Sequence, residues 1–306
     1  MSEPASGSSV PRSRSPETGS GVRLEVIRAG VRTTVQDLGR PGLAHLGVPR
    51  SGALDAGALR RANRLAGNPP GAAGLEITLG GLRARVTRAT TLAVTGAPCP
   101  ITVDRRPADP GLPLAVRAGA VIDIGRATAG LRAYLAVGGG LTVPPVLGSR
   151  STDTLSGLGP DPVRDGDVLP VGPATALPPG VDVAPHPPPR GTLRLRVWPG
   201  PRDDWFTGDA WRTLLSAEYR VSTQTDRVGA RLTGPVLTRA IDGELPSEGL
   251  VLGAIQVPAD GQPLIFLADH PTTGGYPVIG VVDPSDVDLL AQARPGTTLH
   301  FTPAPP

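Results

Sequence analysis

Glycine and proline punctuate this chain so often that long helices have no room to form: 41 Gly and 37 Pro are spread over 306 residues. Each is a turn or breaker signal, so bends are frequent and helices short. Aromatic residues make up only 3% of the chain and apolar residues 39%. The pattern predicts a mainly β, turn-dense protein, long enough for two modest cores or one large β-rich one.

Strand-like segments begin at Leu24 to Ile27 and recur at Leu75 to Leu79, Thr91 to Thr95, Ile101 to Asp104, Ala120 to Ile124 and Leu131 to Val137. This short spacing points to a barrel or sandwich. Between the first two, Leu54, Ala58, Ala62 and Leu65 recur at helical spacing and Gly67, Asn68 and Pro69 supply a stop, which predicts an amphipathic helix. Residues 22–171 are expected to form an N-terminal β-rich subdomain. The Pro-dense stretch 172–191 reads as an extended linker, and residues 192–306 as a second β-rich subdomain. In that half, strands are expected at Leu193 to Val197, near Tyr219 and Arg231, at Leu264 to Ala268, Val278 to Val282 and Thr298 to Phe301. A short helix is expected around Asp209 to Leu215. A further helix starts with Asp283 as N-cap and Pro284 at its first position and stops before Pro295.

All 30 basic residues are Arg. Without Lys the chain forms no Schiff base, carries no covalent biotin, and completes no Gly-rich phosphate loop of the Lys-Ser/Thr type. The net charge is only +3, and no Arg run with interleaved aromatics marks a nucleic-acid groove, so nucleic acid is not an expected partner. The single Cys99 excludes an intrachain disulfide framework and a multi-Cys zinc site, and no metal site is expected. Residues 1–21 lack an apolar signal-peptide region and read as a disordered tail, and no run is long enough to span a membrane. The expected location is the cytoplasm.

Four polar, glycine-rich stretches are candidates for chemistry. TTVQDLGRPGLAHLGVPRSGALD (33–55) reads as an irregular loop whose polar side chains mainly satisfy its own backbone, and His45 has no partner at metal-ligand spacing. GSRSTDTLSGLG (148–159) sets Arg150 and Ser151 among glycines, either as an anion nest or as an ordinary capped turn. In STQTDRVGARLTG (222–234), Arg227 suits a carboxylate or phosphate, with a surface ion pair as the equal alternative. The densest stretch is 247–277, where Glu248, Gln256, Asp269, Thr272, Thr273 and Tyr276 lie on turns flanking apolar runs. Thr272, Thr273, Gly274 and Gly275 can offer hydroxyls and backbone N–H groups to an oxyanion, or they form a plain Gly-Gly turn.

In their joint order, TTVQDLGRPGLAHLGVPRSGALD, LEITLGG, YLAVGGGL, GSRSTDTLSGLG, DRVGARL, SEGLVLGAIQVPADGQP and TTGGYP resemble the signatures of one family. It is the biotin-dependent carboxyltransferase, allophanate hydrolase subunit 2 or KipA family, to which the C subunits of 5-oxoprolinases belong. The resemblance runs from about residue 22 to residue 304. It departs where Pro271 replaces a Gln, Val278 a basic residue, and Pro160 a Gly.

The resemblance implies a cyclophilin-like β-barrel fold and a KipI or allophanate hydrolase subunit 1-like partner chain. It further implies a LamB/YcsF-like subunit, with ATP and Mg²⁺ in the complex and a small lactam or amide as substrate. The leading expectation is the C subunit of an ATP-dependent 5-oxoprolinase, which opens 5-oxoproline to L-glutamate. The alternatives are the carboxyltransferase half of a biotin-dependent urea or amide carboxylase, with biotin on a partner, and a non-catalytic regulator that binds a KipI-like protein. In the leading reading Arg227 binds a carboxylate or phosphate, and Thr272, Thr273 and the 274–275 backbone polarise the lactam oxygen. Gln256 orients the ring amide, and Asp269 carries a proton. His270 is not expected to act, because the resemblance rests on Thr272 to Pro277.

Overall fold

The computed structural model describes residues 21–174, 176, 183, 191–243 and 245–305. The expected disordered tail therefore lies almost wholly, and the Pro-rich linker mostly, outside the described residues. Up to Val171 the chain builds two antiparallel sheets. One runs in the order Val168–Pro170, Arg23–Arg28, Leu82–Val86, Val121–Ile124, Ile101–Val103, Arg106–Ala108. The other runs Arg32–Gln36, Gly74–Thr78, Arg132–Val137, Thr90–Gly96, Leu114–Val116. Leu24, Val26, Leu82 and Ile122 of the first sheet meet Leu75, Ile77, Val94 and Leu135 of the second in one core. Each fully buried Leu, Ile or Val there contributes on the order of 1.5–3 kcal/mol.

Arg132–Val137 shows why its sequence carries no polar/apolar alternation: it is buried on both faces. Leu135 and Val137 point into the two-sheet core, while Tyr134 and Ala136 pack on the other side against helix α1 (Ala56–Leu65). Asp55 caps α1 by accepting from the Ala58 N–H at 2.7 Å.

From Thr192 onward seven strands close into a barrel, in the order Thr192–Pro199, Val278–Val282, Ala254–Gln256, Leu264–Phe266, Gly229–Thr233, Tyr219–Val221, Thr298–Pro303. The last strand closes the ring by pairing parallel to the first. Closure leaves no unpaired edge. Its core holds Leu195, Ile255, Ile265, Ile279 and Leu299, with Tyr219 and Phe301 in an edge-to-face pair at 5.8 Å. Helix α2 (Gly208–Ser216) and helix α3 (Pro284–Leu290) flank the barrel. Among the described residues no helix is long and apolar enough to cross a membrane.

Two local expectations change and one holds. The start of stretch 33–55 is not loop, since Arg32–Gln36 is a strand paired with Gly74–Thr78. Helix α3 does stop before Pro295, at Leu290. Just beyond it the Gln292 side chain accepts from the Leu131 and Arg132 N–H groups, tying the chain to the neighbouring sheet. Finally, TTGG is not a tight hairpin: Thr273–Gly274 is itself a short strand, paired with Glu248–Gly249 in a two-stranded flap.

Candidate active site

The barrel is fastened to the two-sheet half by a buried charge network. Glu76, on the strand Gly74–Thr78, is 2% exposed. It accepts from Arg227 Nη1 at 2.6 Å, the Tyr134 hydroxyl at 2.8 Å and the Leu54 N–H at 2.9 Å, and ion-pairs with Arg132 at 3.4 Å. Arg227, also 2% exposed, donates from Nε and Nη2 to Asp269, each at 2.9 Å, and from Nη2 to the Gly52 carbonyl at 2.6 Å. Asp269 additionally accepts from Ser51 Oγ at 2.9 Å and from the Thr154 N–H and hydroxyl at 2.9 and 2.8 Å. Burial alone would raise the Glu76 and Asp269 carboxyl pKa values, but the Arg227 guanidinium reverses this and holds both below their ordinary values.

This arrangement changes two expected roles. A carboxylate offers about four lone-pair sites, and Asp269 already accepts five hydrogen bonds. It is a fixed anion with no lone pair left for a substrate proton. Arg227 is spent on Asp269, Glu76 and Gly52, so it orders the subdomain interface rather than facing a ligand.

A cleft of about 340 Å³ opens beside the network, between the loop leading into α1 and the barrel end that carries α3. Arg50, Ser51, Arg60, His270, Ser285 and Asp288 supply its polar lining, and Leu38, Leu54, Leu252 and Val287 its apolar walls. His270 follows Asp269 out of the strand Leu264–Phe266. Its Nδ1 lies 2.7 Å from the Pro271 carbonyl oxygen. A carbonyl can only accept, so Nδ1 carries the proton and the neutral ring keeps the Nε2 lone pair free. Burial lowers the His270 pKa, which keeps the ring neutral. Pro271 thus has a local reason: its ring fixes φ and stiffens the carbonyl that orients His270. Val278 has one too, since it is buried against Leu250, Ala254 and Phe266, where a basic side chain would be desolvated.

Ser51 joins network and cleft. Its N–H donates to the Ala268 carbonyl at 3.0 Å and its hydroxyl reaches Asp269, and it sits at φ 53, strained for a residue with a Cβ. Gly52 beside it has φ +97, and a Cβ there would lie 2.8 Å from the Gly39 nitrogen. Gly52→Ala is therefore expected to cost on the order of 1–3 kcal/mol and to displace Ser51; thermal unfolding of the variant checks it.

The remaining expected site residues lie elsewhere. Ser151 is fully buried, and the nest around it already holds an anion, the chain's own Asp37. That carboxylate accepts from the Ser149 and Ser151 hydroxyls and the Arg150 N–H, each at 2.6 Å. The Arg150 side chain donates to the Val143 carbonyl at 2.9 Å. Glu248 is held by Arg202 through both guanidinium nitrogens Nε and Nη2. Gln256 is buried and donates to the Tyr276 carbonyl at 2.8 Å, so it braces the flap from below. Tyr276 lies under the Arg239 guanidinium at 5.8 Å. Thr272, Thr273, Gly274, Gly275 and Tyr276 do not line the cleft. Among the described residues no group of three or more His, Cys, Asp and Glu converges to hold a metal.

The sequence does not single out Glu76, Arg132, Tyr134, Arg60 or Asp288, and it offers Arg50 and Ser51 only as polar residues of the stretch 33–55. For Glu76 a signal exists: a carboxylate in the middle of the apolar run GLEIT needs a buried partner. For Asp288, Arg60 and Arg132 there is none, because they meet their partners only through tertiary packing.

These features define the class. Residues 46–303 match the model of the carboxyltransferase domain, subdomain A and B, and the chain belongs to that family. It is 40% identical to the C subunit of the 5-oxoprolinase of Escherichia coli (strain K12) over 284 residues, covering 91% of this chain and 90% of that protein. Among solved structures, TTHA0988 superimposes with a TM-score of 0.85 at 40% identity, over 97% of this chain and 60% of that one. The K. lactis urea amidolyase does so with a TM-score of 0.85 at 30% identity, over 92% of this chain and 19% of that one. The chain thus spans less than two thirds of these solved chains.

Proposed function

We propose that this chain is the C subunit of an ATP-dependent 5-oxoprolinase, working with KipI-like and LamB/YcsF-like chains to convert 5-oxoproline to L-glutamate. The observation that carries the reading is the cleft: it is lined by a neutral imidazole whose Nε2 lies outside the Pro271 hydrogen bond, by apolar walls and by two guanidiniums. The resonance-stabilised lactam N–C=O must have its oxygen polarised or phosphorylated before the ring can open. As that oxygen is activated, His270 Nε2 takes the lactam N–H proton, so that the N–H bond breaks as the Nε2–H bond forms; when water adds to the carbonyl carbon and the C–N bond breaks, the nitrogen takes this proton back together with one from the water. Arg50 and Arg60 hold the substrate carboxylate. They take over the role first expected of Arg227, and His270 that of Asp269. The 40% identity to a protein named as the C subunit of a 5-oxoprolinase, over nine tenths of both chains, supports the same reading.

ATP and Mg²⁺ are assigned to partner chains. This chain has no Lys for a phosphate loop.

The test is reconstitution. This chain with its cognate partners, ATP and Mg²⁺ is expected to release glutamate from 5-oxoproline, and Arg50→Ala and Arg60→Ala are each expected to raise KM about 10-fold or more, in line with loss of a charged hydrogen bond worth ~1.5–3 kcal/mol. No glutamate from the wild-type complex sinks the reading. The urea-carboxylase half is the second reading, supported by the K. lactis urea amidolyase match. A neutral urea leaves both guanidiniums without an anion. Urea-dependent carboxylation with a biotinylated partner, unaffected by the Arg50 and Arg60 variants, would favour it.

A further inference from the structure

Helix α3 meets the first turn of α1 through two side chains one helical turn apart. Asp288 accepts from the Ala56 N–H at 3.3 Å and from the Gly57 N–H at 3.1 Å, one with each carboxyl oxygen. Just past the helix end, Gln292 donates to Asp55 at 2.9 Å. Gly57 is required for this approach, since a Cβ there would lie 2.9 Å from Asp288 Oδ2. The backbone donors fix the carboxyl plane while leaving each oxygen a second lone pair, and Asp288 is only partly buried and lines the cleft. His270 and Asp288 therefore line one small cleft, both with their orientations locked by the backbone.

Resting on the proposed amide-opening function, we infer that Asp288, as the neutral acid, donates its O–H to the substrate's amide oxygen while His270 takes the amide N–H proton. The proton on Asp288 is shared in a hydrogen bond and stays with it; the N–H proton moves to His270 Nε2, so charge builds on the amide oxygen where the donor waits. A carboxylic acid is a strong donor in such a place when its surroundings shift it toward the neutral form, and here the shift runs that way. Burial raises the Asp288 pKa, and the Asp55 carboxyl on α1 adds to it. The Ala56 and Gly57 N–H groups and the Arg60 guanidinium pull the other way, with a net rise. Asp55 is itself raised by burial and lies 4.0 Å from Arg61. Arg50, the other cation of the cleft, faces His270.

The active population is the one with His270 neutral and Asp288 protonated. Lowering the first pKa and raising the second both enlarge it, and the rate falls on each side. The acid limb belongs to His270 and the alkaline limb to Asp288.

The experiment is the pH–rate profile of the reconstituted complex for three variants. Asp288→Asn keeps an acceptor for the α1 amides and an N–H donor that does not titrate, so it is expected to retain turnover and lose the alkaline limb. Asp288→Ala removes the donor, and kcat is expected to fall about 10²–10³-fold, the scale for one oxyanion donor. Asp55→Asn keeps a good N-cap and removes a neighbouring negative charge, so the alkaline limb is expected to move to lower pH. Wild-type kcat in Asp288→Ala, or an Asp288→Asn profile that superimposes on wild type, overturns the inference while the complex still opens 5-oxoproline. An inactive wild-type complex overturns the functional reading itself. A purely structural Asp288 would lower the melting temperature in all three variants and leave the profile unmoved.

Discussion

Replacing Arg227 with alanine is expected to cost this protein about 3–5 kcal/mol of stability, the scale for breaking a buried ion pair by removing one partner. The loss comes less from the missing contacts than from what stays behind. Glu76 and Asp269 are both essentially sealed from water, and without the guanidinium each keeps only neutral donors, apart from Arg132 at 3.4 Å from Glu76. Arg227→Met separates charge from volume. It fills most of the space yet leaves the same two carboxylates unpaired, so it is expected to be nearly as destabilised as the alanine variant. If methionine restored wild-type stability in chemical denaturation, the network's role would be packing and the electrostatic account would be wrong.

The sign of the pH dependence follows from the same network. Both carboxyl groups have folded pKa values below their ordinary 4.5 and 3.8. In wild type they therefore contribute stability that is present above those values and is lost as pH falls through the lower, folded ones. In Arg227→Ala that contribution is gone, so the gap between variant and wild type is expected to be widest near neutrality. It should narrow as pH drops below about 4, where carboxylates take up protons even in the unfolded chain.

The fold was legible largely because its signals are local. The apolar runs 264–268 and 278–282, the spacing of Leu54, Ala58, Ala62 and Leu65, and the Asp283-Pro284 cap each announce an element within a few residues. The strand Arg32–Gln36 was hidden because its RTTVQ side chains look polar. Thr33, Thr34 and Gln36 are buried and satisfy one another or nearby carbonyls, as where Gln36 donates to Thr34 Oγ1 at 3.0 Å and to the Thr152 carbonyl at 2.9 Å. The site was legible only as a set of polar, glycine-rich words. Which words serve the fold and which face the cleft depends on partners far apart in sequence. Asp269 and Arg227 lie 42 positions apart, and Arg227 and Glu76 lie 151 apart. Types suited to catalysis proved to be the same types that satisfy buried charge, so residue chemistry alone could not sort them. His270, which the resemblance leaves out, is the neighbour of Asp269 that lines the cleft.

His270→Gln is expected to reduce kcat about 10²–10⁴-fold in the reconstituted complex, the usual contribution of a positioned general base, with little change in KM. Glutamine can still donate to the Pro271 carbonyl, which His270 Nδ1 meets at 2.7 Å, but it has no basic nitrogen to receive the substrate proton. The pH dependence adds a second test. Burial puts the His270 pKa below its ordinary 6.5, so the acid limb that His270 contributes should lie below that value. The glutamine variant should lack that limb. Stability moves with it. Just below pH 6.5 the unfolded chain takes up a proton that the folded ring resists, so histidine weakens the fold there and glutamine does not. Unfolding measured at several pH values should then show His270→Gln less acid-sensitive than wild type. A variant within a few-fold of wild-type kcat across the whole range would return the proton-transfer role to another group, and the orientation imposed by Pro271 would be a feature of the turn alone.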